Sequence, residues 1–330
     1  MVAALGLVLG ALVAGTAHAA LVMPTVLVGD AGNAADSTGY GSVNYQYRIG
    51  QYEVSLNEYT AFLNAVAATD SYGLYNSIMA SNLDIAGISR SGSSGSYNYS
   101  VIGSGNRPVT YVSWFDAARF ANWMNNGATS GASTETGAYT LNGATSGVGF
   151  TKNPGATWWI TSEDEWYKAA YYKGGGTSAG YWQYAMQTNT IAGNTIGVAQ
   201  SANYYDGNYA KDQNSLPSSL TDGGAYGANS ASFYGTYDQS GNLWEWNDAV
   251  IEGERGLRGG SWGDTASYLQ SSFQTRFYPS FESDNIGFRI ANIADSSAVP
   301  EPGQIAASGV LLIGGGLYWL VRRRKVKAAA

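Results

Sequence analysis

Gly256-Leu257-Arg258-Gly259-Gly260-Ser261-Trp262 reads as a short strand running into a Gly-Gly turn. Upstream stands Gly241-Asn242-Leu243-Trp244-Glu245-Trp246, and downstream Ile286-Gly287-Phe288-Arg289-Ile290, which reads as a final strand. Trp244, Trp246 and Trp262 recur at a spacing suited to a core rather than to a ligand surface. Towards the N-terminus, residues 47–54 read as a strand with a Gly break and residues 158–160 as another. Three helix starts lie among them. Ser55-Leu56-Asn57-Glu58 is a capping box followed by Tyr59, Phe62, Leu63 and Val66 on one face. Ser113-Trp114-Phe115-Asp116 opens a second helix, and Ser162-Glu163-Asp164-Glu165 a third that runs towards Tyr172. The acidic residues at these starts read as caps, not as catalysts. Residues 91–106 and 125–153 are rich in Gly, Ser, Thr and Asn and read as loops. Few helices, short strands and long loops make one irregular α+β domain over residues 26–293, not two domains.

Composition narrows the chemistry before any motif is weighed. The 330 residues include no cysteine and one histidine, His18, inside a segment expected to be removed. Thiolate nucleophiles, disulfides, Cys/His zinc sites and imidazole-based triads are therefore excluded. Five of the 17 basic residues sit between Arg322 and Lys327, which leaves 12 against 24 acidic ones elsewhere. Such a domain repels phosphate backbones, so no nucleic-acid partner is expected.

Both ends carry export signals. Residues 2–15 are almost wholly apolar or Gly, and Ala17-His18-Ala19 is a small-x-small cleavage site, so residues 1–19 read as a signal peptide. No Lys or Arg precedes the apolar stretch, and a buried N-terminal helix is the alternative. At the other end Val299-Pro300-Glu301-Pro302 precedes an apolar transmembrane segment at residues 305–321 and then Arg322-Arg323-Arg324-Lys325. Read by itself this is a tail anchor. The order of its parts, residues 299–327, resembles the PEP-CTERM sorting signal of Gram-negative bacteria. That resemblance implies an exosortase-type sorting protease as partner, passage through the inner membrane, and a final place at the cell-envelope surface or outside the cell.

Between the ends, six motifs occur in a fixed order: Tyr52-Glu53-Val54-Ser55 with Glu58-Tyr59, then Arg107-Pro108-Val109 with Val112-Ser113-Trp114, then residues 161–166, and then the three motifs quoted first. In that order they resemble the formylglycine-generating enzyme, or sulfatase-modifying factor, family. The resemblance implies an irregular variant of the C-type lectin fold with few helices, short antiparallel strands and long loops. The copper-dependent members oxidise a substrate cysteine with two cysteines placed shortly after Gly-Gly-Ser. Here the matching positions hold Asp264 and Leu269. A carboxylate is a hard ligand and Leu is none, so a bis-thiolate Cu(I) site cannot form and no copper is expected.

The same resemblance implies structural Ca²⁺, held by oxygen ligands. One set is the Asn203 side chain and Tyr204 carbonyl with the Asp222 side chain and Gly224 carbonyl. The other is Asp238, the carbonyls of Gly241 and Leu243, and the Glu245 carboxylate. For Glu245 a core ion pair with an Arg is the alternative. For ligand contact, the aromatics between motifs come first: Tyr72, Tyr75, Tyr97, Tyr99, Tyr204, Tyr205, Tyr268 and Phe277. Arg276 and Tyr278 lie where the family builds its cleft, and with Asp264 and Tyr268 they form the expected ligand set.

The expectation is an exported, calcium-stabilised module that binds a glycan or a surface protein, or serves as surface structure, without the family's oxidase activity. Two alternatives stand beside it: a formylglycine-type or other activity in the same cleft that uses Asp264 and Arg276, and a ligand-binding protein diversified by a retroelement.

Overall fold

Each expected capping box starts a helix. The helices are α1 (Leu56–Val66), the single turn α2 (Ile78–Ser81), α3 (Trp114–Asn125) and α4 (Glu163–Tyr171). At α1, α3 and α4 a cap serine accepts the backbone N–H three residues on, and Glu58, Asp116 or Glu165 returns a carboxylate to the cap N–H. Each box satisfies two amide donors that the first turn would leave open. The computed structural model describes residues 21–82, 85, 87–210 and 219–294. The signal-peptide and sorting-signal expectations fall outside these residues. Among the described residues no helix is long and apolar enough to cross a membrane.

The strands are β1 (Thr25–Val28), β2 (Tyr47–Gly50), β3 (Ile88–Ser91), β4 (Asn98–Val101), β5 (Trp158–Ile160), β6 (Trp244–Ile251), β7 (Glu254–Arg258), β8 (Thr275–Phe277), β9 (Ile286–Phe288) and β10 (Ile290–Ile293). They form an antiparallel sheet β1-β2-β10-β5, a hairpin β3-β4, and a sheet β8-β7-β6-β9 in which only β6 and β9 run parallel. This is the α+β, C-type-lectin-like class. The described residues up to Ile293 form one compact unit; of the separate unit Ala294–Ala330 only Ala294 is described.

Two strand readings change. Residues 286–290 are not one strand: β9 lies beside β6, and one residue later β10 has crossed to β2 and β5. The break falls at Arg289, whose guanidinium turns inward and donates to the Gly50 and Tyr237 carbonyls. Residues 47–54 pair only as far as Gly50, and Val54 N–H then reaches the Phe288 carbonyl at 2.9 Å. The stretch 91–106, read as loop, contains β4. Its Tyr99 is buried, with its hydroxyl on the Ala67 carbonyl at the end of α1.

The core is aromatic. Tyr59 and Phe62 of α1 meet Phe120 and Trp123 of α3 and Phe288 of β9, with Phe62–Phe120 and Phe120–Phe288 centroids both 5.4 Å apart. Burying each such ring contributes about 2–3 kcal/mol. Trp114, Trp166, Trp244 and Trp246 are buried as expected, whereas Trp262 is only half-buried. The long stretch after α3 is held by side-chain amides in place of a ladder: Asn122 Nδ2 donates to the Thr134 and Tyr139 carbonyls, and Asn126 Nδ2 to those of Ser133 and Thr136.

Candidate functional site: the Gly-Gly-Ser turn and a buried oxygen cluster

The turn after β7 is built around backbone that only glycine adopts easily. Gly260 has φ +72°, and a Cβ there would stand 2.6 Å from Leu269 Cδ1. Leu269 is thus packed directly against the turn, in an apolar cluster with Tyr184, Met186, Ala202 and Tyr204. Asp264 is likewise committed. Its Oδ2 accepts Trp244 Nε1–H at 2.8 Å, the Ser261 N–H at 3.0 Å and the Ser261 hydroxyl. The two positions that the resemblance gives to copper thiolates hold a core methyl group and a turn-closing acceptor.

Outside this turn lies an aromatic rim. Tyr205 N–H donates to the Asp264 carbonyl, the Tyr205 and Tyr209 centroids are 5.0 Å apart, and Tyr209 stands 5.6 Å from Trp262. On the other side Tyr268 packs on Phe273 at 4.7 Å, and both rings reach Trp244. Tyr209 is 53% exposed. It lies in a stretch with no pattern to single it out, and sequence reasoning passed over it.

The expected ligand set does not gather at one point. Asp264 and Tyr268 are joined through Trp244, but Arg276 sits on β8 and forms ion pairs with Glu252 and with Glu254, the latter at 3.4 Å, at the β6–β7 turn. Tyr278 is 67% exposed beside the Phe277–Phe281 stack. Among the other expected contact aromatics, Tyr75, Tyr99 and Tyr204 are corrected to core positions. Each is buried because loops read as open fold back over the domain. Tyr72 is exposed, with the Arg119 guanidinium 4.1 Å from its ring centre.

Beneath the turn is a cluster of oxygens. Asn203 Nδ2 donates to Asn242 Oδ1 at 2.9 Å, and Asn242 Nδ2 donates to Glu53 Oε1 at 3.1 Å. Asp238 Oδ2 accepts the Gly224 N–H at 2.6 Å, which ties the two expected cation sets together. Glu245 has the alternative partner: Arg289 Nε and Nη2 each lie 2.6 Å from a carboxylate oxygen, and Trp166 Nε1 donates to Oε2 at 2.8 Å. Glu245 and Arg289 are both 0% exposed.

The titration of these groups follows from burial. It pushes Asp238 up to about 6, against the Gly224 N–H and Arg289, which pull it down, and with Glu245, which adds to the rise. Burial likewise pushes Glu53 well above the carboxylate range, Asp238 and Glu245 add to it, and Arg289 opposes. Burial works against charge on Arg289 itself, but Glu245, Glu53 and Asp238 outweigh it and hold its pKa above the ordinary arginine value.

These contacts separate the two cation sets. Asn203 Oδ1 and Asp222 Oδ1 are buried and have no hydrogen-bond partner among the described residues, so the first set offers two hard oxygens without a role. The Tyr204 carbonyl accepts Asn194 Nδ2, and that of Gly224 accepts the Gly227 N–H, each with a lone pair to spare. The second set fits less well, because Arg289 already neutralises Glu245. Among the described residues no three His, Asp or Glu side chains group as a metal centre, so amide and carbonyl oxygens would have to complete any site.

The irregular α+β fold with this turn defines a C-type-lectin-like domain. The chain belongs to the sulfatase-modifying factor enzyme 1-like domain family, whose model matches residues 28–294. It is similar to the inactive C-alpha-formylglycine-generating enzyme 2 of Bos taurus, 41% identical over 81 residues that make up 22% of this chain and 26% of that protein. The mouse counterpart, from Mus musculus, is 43% identical over 70 residues, 18% of this chain and 23% of its own. The matches span about a quarter of those relatives. Among solved structures, CarF superposes with a TM-score of 0.50 at 22% identity over 83% of this chain and 99% of its own, a likeness of fold.

Proposed function

We propose that this is a non-catalytic, ligand-binding member of the family, stabilised by Ca²⁺ at the first oxygen set and sorted to the cell envelope. The observation that carries the reading is the fate of the two oxidase positions: Leu269 is a core side chain and Asp264 closes the turn through Ser261 and Trp244. Neither side chain presents a soft ligand. The relatives' own name, inactive, points the same way, and the rim of Tyr205, Tyr209, Trp262 and Tyr268 supplies aromatic surface for a glycan or a surface protein. Export rests on the terminal segments, residues 1–19 and 299–327, which carry the signal-like patterns.

Incubation with copper and a Cys-Thr-Pro-Ser-Arg peptide tests the loss of activity. No aldehyde mass shift is expected, and its appearance overturns the reading. A glycan array with and without Ca²⁺ then reads the ligand class.

The calcium proposal names Asn203 and Asp222 as side-chain ligands with the carbonyls of Tyr204 and Gly224. Bound there, the ion would supply the positive charge that Asp222 lacks. EDTA is expected to lower the melting temperature and Ca²⁺ to restore it, with a gain of about 2.7 kcal/mol at a hundredfold excess over Kd. Asn203→Ala should abolish the shift. An unchanged melting curve on chelation, in protein shown to be metal-free, removes calcium from the account.

A further inference from the structure

A cavity of about 370 Å³ opens beside the start of α1, and its walls carry three carboxylates, Glu53, Glu58 and Asp222, with no Lys or Arg among them. Glu53 is 2% exposed, its Oε2 has no hydrogen-bond partner among the described residues, and it lines this cavity. Asp222 Oδ1 on the same wall is also buried without a partner. An unpaired buried carboxylate is costly, so it holds a proton unless a cation is supplied, and a bound cation would keep Glu53 ionised against the upward push of burial. The charge balance sharpens the point. Glu53, Asp238 and Glu245 share the influence of one guanidinium, Arg289, whose ion pair goes to Glu245. That guanidinium gives both of its carboxylate hydrogen bonds to Glu245, and the cavity is where a cation for Glu53 would enter.

We infer that this cavity binds an alkylammonium group, the head of a small aliphatic amine or of a lysine side chain, with Glu53 as its charge partner. Size argues against a bare ion, since one water's share of liquid volume is about 30 Å³ and this space is of small-ligand scale. The remaining walls include Met23, Pro24 and the Tyr52 ring, which is held by its stack on Tyr237 at 5.3 Å. They suit an aliphatic stem. The acceptors also choose between cationic heads. Glu53 Oε1 is taken by Asn242 and Glu58 Oε2 by the Ser55 N–H and hydroxyl, so carboxylates are offered through single oxygens, not as an open two-oxygen fork. A point charge with three N–H donors fits such a set, whereas a planar guanidinium needs the fork.

The site lies apart from the Gly-Gly-Ser turn and does not rest on the loss of oxidase activity. Asp222 is shared with the calcium proposal, so the test separates the two. The full chain is titrated calorimetrically in EDTA with cadaverine, with Nα-acetyl-lysine amide and with n-pentanol, the neutral isostere. Both amines or cadaverine alone should bind and pentanol should not; the first result identifies a peptide side chain as a possible source, the second a free amine. Glu53→Gln should weaken amine binding about tenfold or more, whereas Asn203→Ala, which keeps the Glu53 carboxylate, should weaken it less than Glu53→Gln does while abolishing the calcium-dependent melting shift. The proposal is overturned if neither amine binds, if pentanol binds as tightly as cadaverine, or if Glu53→Gln changes nothing. The contrast between amine and pentanol in the unaltered protein decides the matter even where a variant folds poorly.

Discussion

Arg289→Met is expected to lower the melting temperature by about 10 °C or more. Removing one partner of a fully buried ion pair costs about 3–5 kcal/mol, and each kcal/mol moves the midpoint of a domain this size by about 2–4 °C. The cost lies in what is left behind. Without the guanidinium, Glu245 keeps only the Trp166 indole, and Glu53 and Asp238 lose the cation that opposes their own rise in pKa. The Gly50 and Tyr237 carbonyls lose their donor as well, at the point where the chain crosses between sheets. Glu245→Gln combined with Arg289→Met should recover part of the loss, because the stranded charge is gone. Thermal unfolding of the two single variants and the double variant checks this; a single-variant cost below about 1 kcal/mol would show that the pair is no more than a surface-like contact.

Gly241→Ala should cost about 3 kcal/mol, from backbone strain and overpacking together. Gly241 has φ +94°, and a Cβ there would lie 2.3 Å from the Asn203 carbonyl oxygen. That oxygen accepts the Asn242 N–H, so moving it also disturbs the Asn203–Asn242–Glu53 chain. Gly253→Ala is the control. Its φ is +85°, but nothing stands within 4 Å of the added atom, so it should show the backbone cost alone, about 1 kcal/mol. Urea denaturation of both variants separates close approach from conformation, and equal losses would mean that the contact with Asn203 relaxes freely.

The local features were open to reading because their causes are local. A serine cap and an acid three residues on satisfy amides within one turn, so Ser55, Ser113 and Ser162 marked their helices whatever surrounds them. The ordered motifs, including Gly259-Gly260-Ser261, likewise pointed to the family and placed the missing thiolates at Asp264 and Leu269. Glu53 left no such trace. Alternation along β2 could not place it, because the strand ends at Gly50 and the chain bends before Glu53 turns inward.

What a side chain meets across the domain was not available. Residues 286–290 read as one strand because apolar and small residues continue through Arg289, and nothing nearby says that β9 and β10 belong to different sheets. Tyr75, Tyr99 and Tyr204 looked like recognition residues because their neighbours are Ser, Gly and Asn, yet the fold covers them. By itself the sequence determined the helix starts, the family, and the absence of thiol and imidazole chemistry in the domain, since these depend on which residues are present and on spacings within a turn or two. Only the tertiary structure decided that Glu245 belongs to Arg289, that Arg276 belongs to the β6–β7 turn, and that Glu53 and Asp222 line one cavity. The reason is physical: a buried charge is assigned by the nearest opposite charge in space, and the one Glu245 found lies 44 positions further along the chain.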